Sequence, residues 1–210
     1  MTRPPLTRFF RLLHANPGPH VFNPWTHHDA GTDVAIDAHE HRLKRLETHL
    51  NTDAKYLLIG EAAGYQGCHV TGIPFTSERL ILEGQIPGIA SDGTRLSTRH
   101  IPWSEPSATT VWATLHDLGI ADTTILWNAY PWHPHKPGNR QSNRTPTLTE
   151  RGAGLSVLAA LLTAFPNATL FAVGRNAEAA LLEMGHHAIP LRHPSMGGAT
   201  AFRSQLRRAV

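Results

Sequence analysis

Four short stretches of the chain are largely continuous in apolar residues instead of alternating: KYLLIG (55–60), TTILWNAY (123–130), ATLFAVG (168–174) and AIPLRH (188–193). Strands covered on both faces read this way, as in a parallel sheet. Between these runs the period changes to that of a helix. SATTVWATLHDLG sets Val111, Trp112, Leu115 and Leu118 on one face and stops at Gly119. TLTERGAGLSVLAALLTAF opens with Thr147 and Glu150 in capping-box spacing, followed by a stripe of Leu155, Leu158, Leu162 and Phe165. RNAEAALLEMG ends at Gly185, TAFRSQLRRA reads as a closing helix, and DAHEHRLKRLETHL as a helix ahead of the first run.

Strands alternating with helices predict a three-layer α/β/α sandwich around a central, mostly parallel four-stranded sheet. The Pro-rich opening, residues 1–25, reads as an arm, and residues 26–210 as a single α/β domain. Residues 76–105 read as a long loop with one helical turn. In sheets of this kind, ligands bind beyond the carboxyl ends of the strands. Those ends carry GEAAGYQG, WNAYPWHPHKPGNR, GRNAE and RHPSMGG, so the glycine-rich, amide and imidazole residues collect on one edge.

Composition narrows the picture only slightly. The chain has 210 residues, 40% of them hydrophobic, which is ordinary globular composition. No apolar run approaches the ~18 residues that span a bilayer, so no membrane partner is expected. The opening does not read as a signal peptide. Cys68 is the only cysteine, which excludes internal disulfides and any site built from several thiolates and fits a cytoplasmic protein. From Lys136 onward there are nine Lys or Arg against three acids, whereas residues 1–135 carry ten against thirteen. That imbalance suits a face for an anionic partner, nucleic acid foremost. It also suits a solvated, Arg-rich surface.

Glycines at 60, 64, 67 and 72 let backbone N–H groups approach a ligand, and Phe75, held by Pro74, offers a ring face. Taken alone, Phe75 reads more readily as core. Asn128 ends the second strand, where an amide that donates and accepts can read the edge of a base or simply cap a turn. His193 ends the fourth and can stabilise a developing anion or serve as a structural histidine.

Together, GEAAG (60–64) with TGIPF (71–75), Asn128 ahead of NRTPTLTE (143–150), and RHPS (192–195) resemble the uracil-DNA glycosylase superfamily. The resemblance covers roughly residues 55–205 and is nearest to the iron–sulfur-bearing, family 4-like branch. That branch holds its cluster with four cysteines, which this chain cannot supply, so a cluster-free relative with no cofactor is expected. Two positions depart from the pattern: Ala63 replaces a usual Pro, and Ala62 stands where other branches carry a water-positioning Asp or Asn.

The resemblance implies hydrolysis of the N-glycosidic bond of uracil, or a related pyrimidine, in single- or double-stranded DNA by a monomer. Gly60, Ala62, Tyr65 and Phe75 would form the base pocket, with Phe75 stacking. Asn128 would accept from N3–H and donate to O4. His193 would stabilise the departing base, and Glu61 is the expected water activator. Lys136, Arg140 and Arg144, with Ser195, would hold DNA phosphates, and Met196 would be an apolar wedge in the vacated stack. The competing readings are a metal site at His39/His41 or His133/His135, a nucleotide-binding Rossmann protein, a binding module of this fold without catalysis, and a glycosylase for another damaged base.

Overall fold

The computed structural model describes residues 4–210. In chain order the elements are α1 (Pro4–Leu13), β1 (Val21–Phe22), α2 (Ala38–Leu50), β2 (Tyr56–Ala62), α3 (Cys68–Thr71), α4 (Glu78–Leu82) and α5 (Pro106–Asp117). Then follow β3 (Thr124–Tyr130), β4 (His133–Pro134), α6 (Leu148–Ala164), β5 (Thr169–Val173), α7 (Arg175–Glu183), β6 (Ile189–Leu191) and α8 (Ala199–Ala209). β2, β3, β5 and β6 form one parallel sheet in the order β3-β2-β5-β6. β1 and β4 make a separate antiparallel pair.

Strand pleating explains the two cores. Leu57 and Ile59 of β2, with Ile125 and Trp127 of β3, face α1, α2, α6 and α7. Leu58 and Leu126, with Phe171 and Val173 of β5, face α5 and α8. Successive residues point to opposite faces, and each face is covered, so the runs read as continuously apolar. The outcome is the expected sandwich of helices on both sides of a four-stranded parallel sheet. Where β3 forms the sheet edge, the His49 ring at the end of α2 accepts from the Leu126 N–H at 3.0 Å. Burial pushes this imidazole down to about 4, so it stays neutral and can accept.

The opening of the chain departs from the expected arm. Residues 1–3 lie outside the described residues, but α1 is a helix whose Leu6, Phe9 and Leu13 are buried in the sheet's own core. The Phe9 ring meets Trp127 edge-on at 5.0 Å, and Trp25 stacks on the same indole at 5.7 Å. The 3.6-residue spacing of Leu6, Phe9, Leu13 is the helical signal, masked by flanking prolines that are tolerated in a first turn. Residues 76–105 do contain one helical turn, α4, and are organised around the buried Glu78. Its carboxylate accepts from the Ser97 hydroxyl at 2.9 Å, from Arg95 at 2.8 Å and from the Trp103 N–H at 3.3 Å.

Candidate functional site

The chain leaves β2 towards β3 on one side, and leaves β5 towards β6 on the other. Their carboxyl ends therefore diverge, which is where an open α/β sheet forms a crevice. A cleft of about 1240 Å³ lies there, lined among others by Glu61, Phe75, Glu105, Asn128, Arg192 and His193.

Gly60 lies beneath the Phe75 and Asn128 side chains, both of which line this cleft. It pairs in register with Asn128 across β2 and β3. A Cβ on Gly60 would lie 2.6 Å from Phe75 Cζ and 2.7 Å from Asn128 Oδ1, so only glycine fits. Phe75 is held in place by its loop. Its φ is +50°, a conformation a non-glycine residue adopts only where its surroundings impose it. The Thr71 hydroxyl lies 2.8 Å from the Thr76 carbonyl, Trp112 Nε1 donates to the Thr76 hydroxyl at 3.0 Å, and Trp25 Nε1 donates to the Gly72 carbonyl at 3.1 Å. Asn128 is 3% exposed and lines the cleft, yet its side-chain amide has no hydrogen-bond partner among the described residues.

His193 stands opposite, with its ring 6.0 Å from that of Phe75. Its Nδ1 accepts from the Ser195 backbone N–H at 3.1 Å and lies 2.8 Å from the Ser195 hydroxyl. Burial, together with the neighbouring Arg192, holds its pKa below the ordinary imidazole value. A neutral ring with Nδ1 accepting carries its proton on Nε2, and Nε2 has no partner among the described residues. The loop is wound tightly beneath it: a Cβ on Gly198 would sit 2.0 Å from the His193 carbonyl oxygen. At its tip Met196, with φ +50°, is 94% exposed.

Two carboxyl groups face this cleft. Glu61 Oε1 is buried without a hydrogen-bond partner. The carboxyl of Glu105, at the start of α5, has no hydrogen-bond or ion-pair partner among the described residues, and desolvation pushes it up to about 7.

The expected residues divide into those brought to the cleft and those that are not. Glu61, Ala62, Phe75, Asn128, Arg144, His193, Ser195 and Met196 line it. Tyr65 does not: its ring packs edge-on against Trp103 at 5.7 Å. Arg144 forms two hydrogen bonds to Glu150, at 2.6 and 2.7 Å, and Glu150 closes the capping box with Thr147. Arg140 donates to Asp29 at 3.0 Å on the wall of a second cleft of about 650 Å³, and Lys136 lies near it in the same loop. Asp29 also pairs with His69 at 2.9 Å, and His69 with His133 at 2.8 Å. His133 is thus part of a buried polar chain that fastens the 133–145 loop. Among the described residues, no group of three or more His, Cys, Asp or Glu is arranged to hold a metal ion. No helix among them is long and apolar enough to cross a membrane.

A family model described as the uracil DNA glycosylase superfamily matches residues 47–209. The chain belongs to that superfamily. The crystal structure of wild-type Pedobacter heparinus SMUG2 shares its fold with a TM-score of 0.63, at 18% identity, over 93% of this chain and 89% of that one. No curated protein sequence matches it. Membership of the superfamily supports a DNA glycosylase, and its motifs can be assigned tasks from the geometry. In NRTPTLTE, Asn143 accepts from the Tyr65 N–H at 3.1 Å and so ties the first loop to the loop before α6, while Arg144, Thr147 and Glu150 fix the start of that helix. Arg175 and Arg192, in the strand-end stretches GRNAE and RHPSMGG, also line the cleft, as do Glu105 and Ser107, which carry no sequence signal of their own. Only the fold brings them there.

Proposed function

We propose that this glycosylase hydrolyses the N-glycosidic bond of uracil, or of a 5-substituted uracil, in DNA and leaves an abasic site. The observation that carries this reading is the Asn128 amide: nearly buried, facing the cleft and unpartnered, beside a fixed aromatic ring. Burying an amide without a partner costs on the order of 1–3 kcal/mol, which a ligand edge can return. Oδ1 accepting from N3–H and Nδ2 donating to O4 match uracil and oppose cytosine.

The target nucleotide leaves the stack at a cost of a few kcal/mol and enters the cleft. Phe75 stacks on the ring and Asn128 reads its edge. As the bond from C1′ to N1 breaks, the electron pair moves to the base and positive charge develops on the sugar. The Nε2–H of neutral His193 donates to the base oxygen on which negative charge gathers. One preorganised donor of this kind is worth ~3–4 kcal/mol. Glu61, at the end of β2, contributes a carboxylate to the same space and holds the attacking water against the sugar. Ser195 and Met196, at the rim, suit a phosphate contact and a wedge, and Lys136 lies on the adjoining loop, whose Arg140 and Arg144 are paired with Asp29 and Glu150. The likeness in motif to the family 4-like branch, with one cysteine in place of four, supports placement as a cluster-free member.

The test is base release from oligonucleotides with a single uracil, 5-hydroxymethyluracil, hypoxanthine or no lesion, single- and double-stranded, with EDTA present, read as alkali-labile breaks. Cleavage at uracil is the expected result. Cleavage confined to hypoxanthine would replace the assignment of Asn128 as a uracil reader.

A further inference from the structure

Glu105, at the end of the loop that leads into α5, lines the cleft and stands outside the motifs described above. We propose that Glu105 is the group that takes the proton from the attacking water. The inference rests on the glycosylase reading above and adds a second carboxyl to the site.

Three observations carry it. First, Glu105 lines the cleft that Glu61, Asn128 and His193 also line. Second, its carboxyl is housed against the glycine loop: a Cβ on Gly67 would fall 1.9 Å from Glu105 Oε2, so the absence of a side chain at Gly67 makes the space it occupies. Third, no donor among the described residues reaches its carboxyl, a condition it shares in this cleft with Glu61 Oε1, whereas the buried acids Asp29, Asp33 and Glu78 are each engaged by an arginine. A half-buried carboxylate on a cleft wall, with no protein donor reaching it, is free to accept from a water or a substrate group.

Cys68 on α3 is buried and kept protonated by burial and by the charge of Glu105. Glu61, Arg144, Arg175, Arg192 and His193 also line the cleft wall, Arg144 being paired with Glu150. Burial therefore sets Glu105 near neutrality, where a general base is most effective.

In the step, the water oxygen forms its bond to C1′ as the bond from C1′ to N1 breaks. The bonding pair leaves with the base, whose charge His193 Nε2–H stabilises, and one water proton passes to the Glu105 carboxylate. Net charge is conserved: one carboxylate is neutralised as one base anion forms. Glu61 then acts by position and charge, and Glu105 by proton transfer.

The experiment is single-turnover base release from a uracil oligonucleotide between pH 5 and 9, for the wild type, Glu105→Gln and Glu105→Asp, with DNA affinity measured in parallel. The expected wild-type profile has an acidic limb with a midpoint near 7. Glu105→Gln is expected to lose about 100-fold in rate, to lose that limb and to bind DNA as before. Glu105→Asp keeps the carboxyl and is expected to retain the limb at a reduced rate, which a merely structural role would not produce. An active wild type with Glu105→Gln equally fast, or with the limb unchanged in it, overturns the role of Glu105 alone. If Glu105→Gln does not fold, a Glu105→Asp variant lacking the limb overturns it as well. A wild type that releases no base from any substrate overturns the glycosylase reading, and this inference with it.

Discussion

The Phe75 ring and the Asn128 amide meet over Gly60, 2.6 and 2.7 Å from where a Cβ on that residue would stand. Neither can retreat freely: Phe75 is fixed by a positive-φ loop, and Asn128 lies in the sheet. Gly60→Ala is therefore expected to spread the two apart by about 1 Å and cost at least ~100-fold in single-turnover base release. Overpacking should also lower stability by ~1–3 kcal/mol, measured by urea unfolding. Activity within a factor of three of wild type would place the base elsewhere.

Asn128→Ala and His193→Ala should separate function from fold. Asn128 makes no side-chain hydrogen bond among the described residues, so truncating it strands no partner. Unfolding free energies within ~1 kcal/mol of wild type are expected, with rates lower by ~100-fold or more in each. Near-normal turnover in both variants would remove these residues from the site.

Phe9→Ala probes the opening of the chain. Phe9 is fully buried against Trp127, and a Phe→Ala change in a core costs ~3–5 kcal/mol. An appended arm would give less than ~0.5 kcal/mol. Urea midpoints at constant slope distinguish the two.

The strands were legible because each is buried on both faces and so leaves a short apolar run: residues 55–60 became Tyr56–Ala62, and 123–130 became Thr124–Tyr130. The capping box at Thr147 and Glu150 was legible because it is a local bond pattern. What local pattern does not encode is who meets whom across the fold. Arg144 looked like a free cation until Glu150 was placed beside it, and Tyr65 like a pocket wall until Trp103 was. Glu105 sits in an unremarkable PWSEPS stretch, and its chemistry arises only from the space above Gly67. For α1 a signal existed, Leu6, Phe9 and Leu13 at helical spacing, but the prolines around it outweighed it.

Glu105 should also leave a mark on stability. Its folded value is about 7 against an ordinary 4.5, so the folded chain retains a proton that the unfolded chain has lost. Its contribution is full below about 4.5 and falls as pH rises towards 7, by something on the order of 1–3 kcal/mol. Glu105→Gln has no such loss, so its stability relative to wild type is expected to rise between pH 5 and 7.5. Buried His49 and His133, held down to about 4 and about 3, lose stability in the opposite direction, as pH falls. They are common to both proteins and cancel in the difference. A pH-independent difference in Tm would mean that the carboxyl is solvated.

The DNA grip can be located by salt dependence, because each phosphate neutralised by a free cation changes the slope of log K against log salt by about one. Arg144 is already neutralised by Glu150, and Arg140 by Asp29. Arg175 and Arg192 line the cleft with no carboxylate partner among the described residues. On forming a complex, only the second pair can release counterions without first giving up an internal ion pair. Arg192→Ala is therefore expected to weaken binding to all DNA sequences and to lower the slope by about one. Arg144→Ala is expected to leave the slope nearly unchanged while costing ~1–3 kcal/mol of stability through the lost bonds to Glu150. Titrations at 50–300 mM salt with a non-cleavable duplex read both. The reverse result, a slope lost with Arg144 and kept without Arg192, would put the backbone path on the 136–144 loop instead of the His193 side of the cleft.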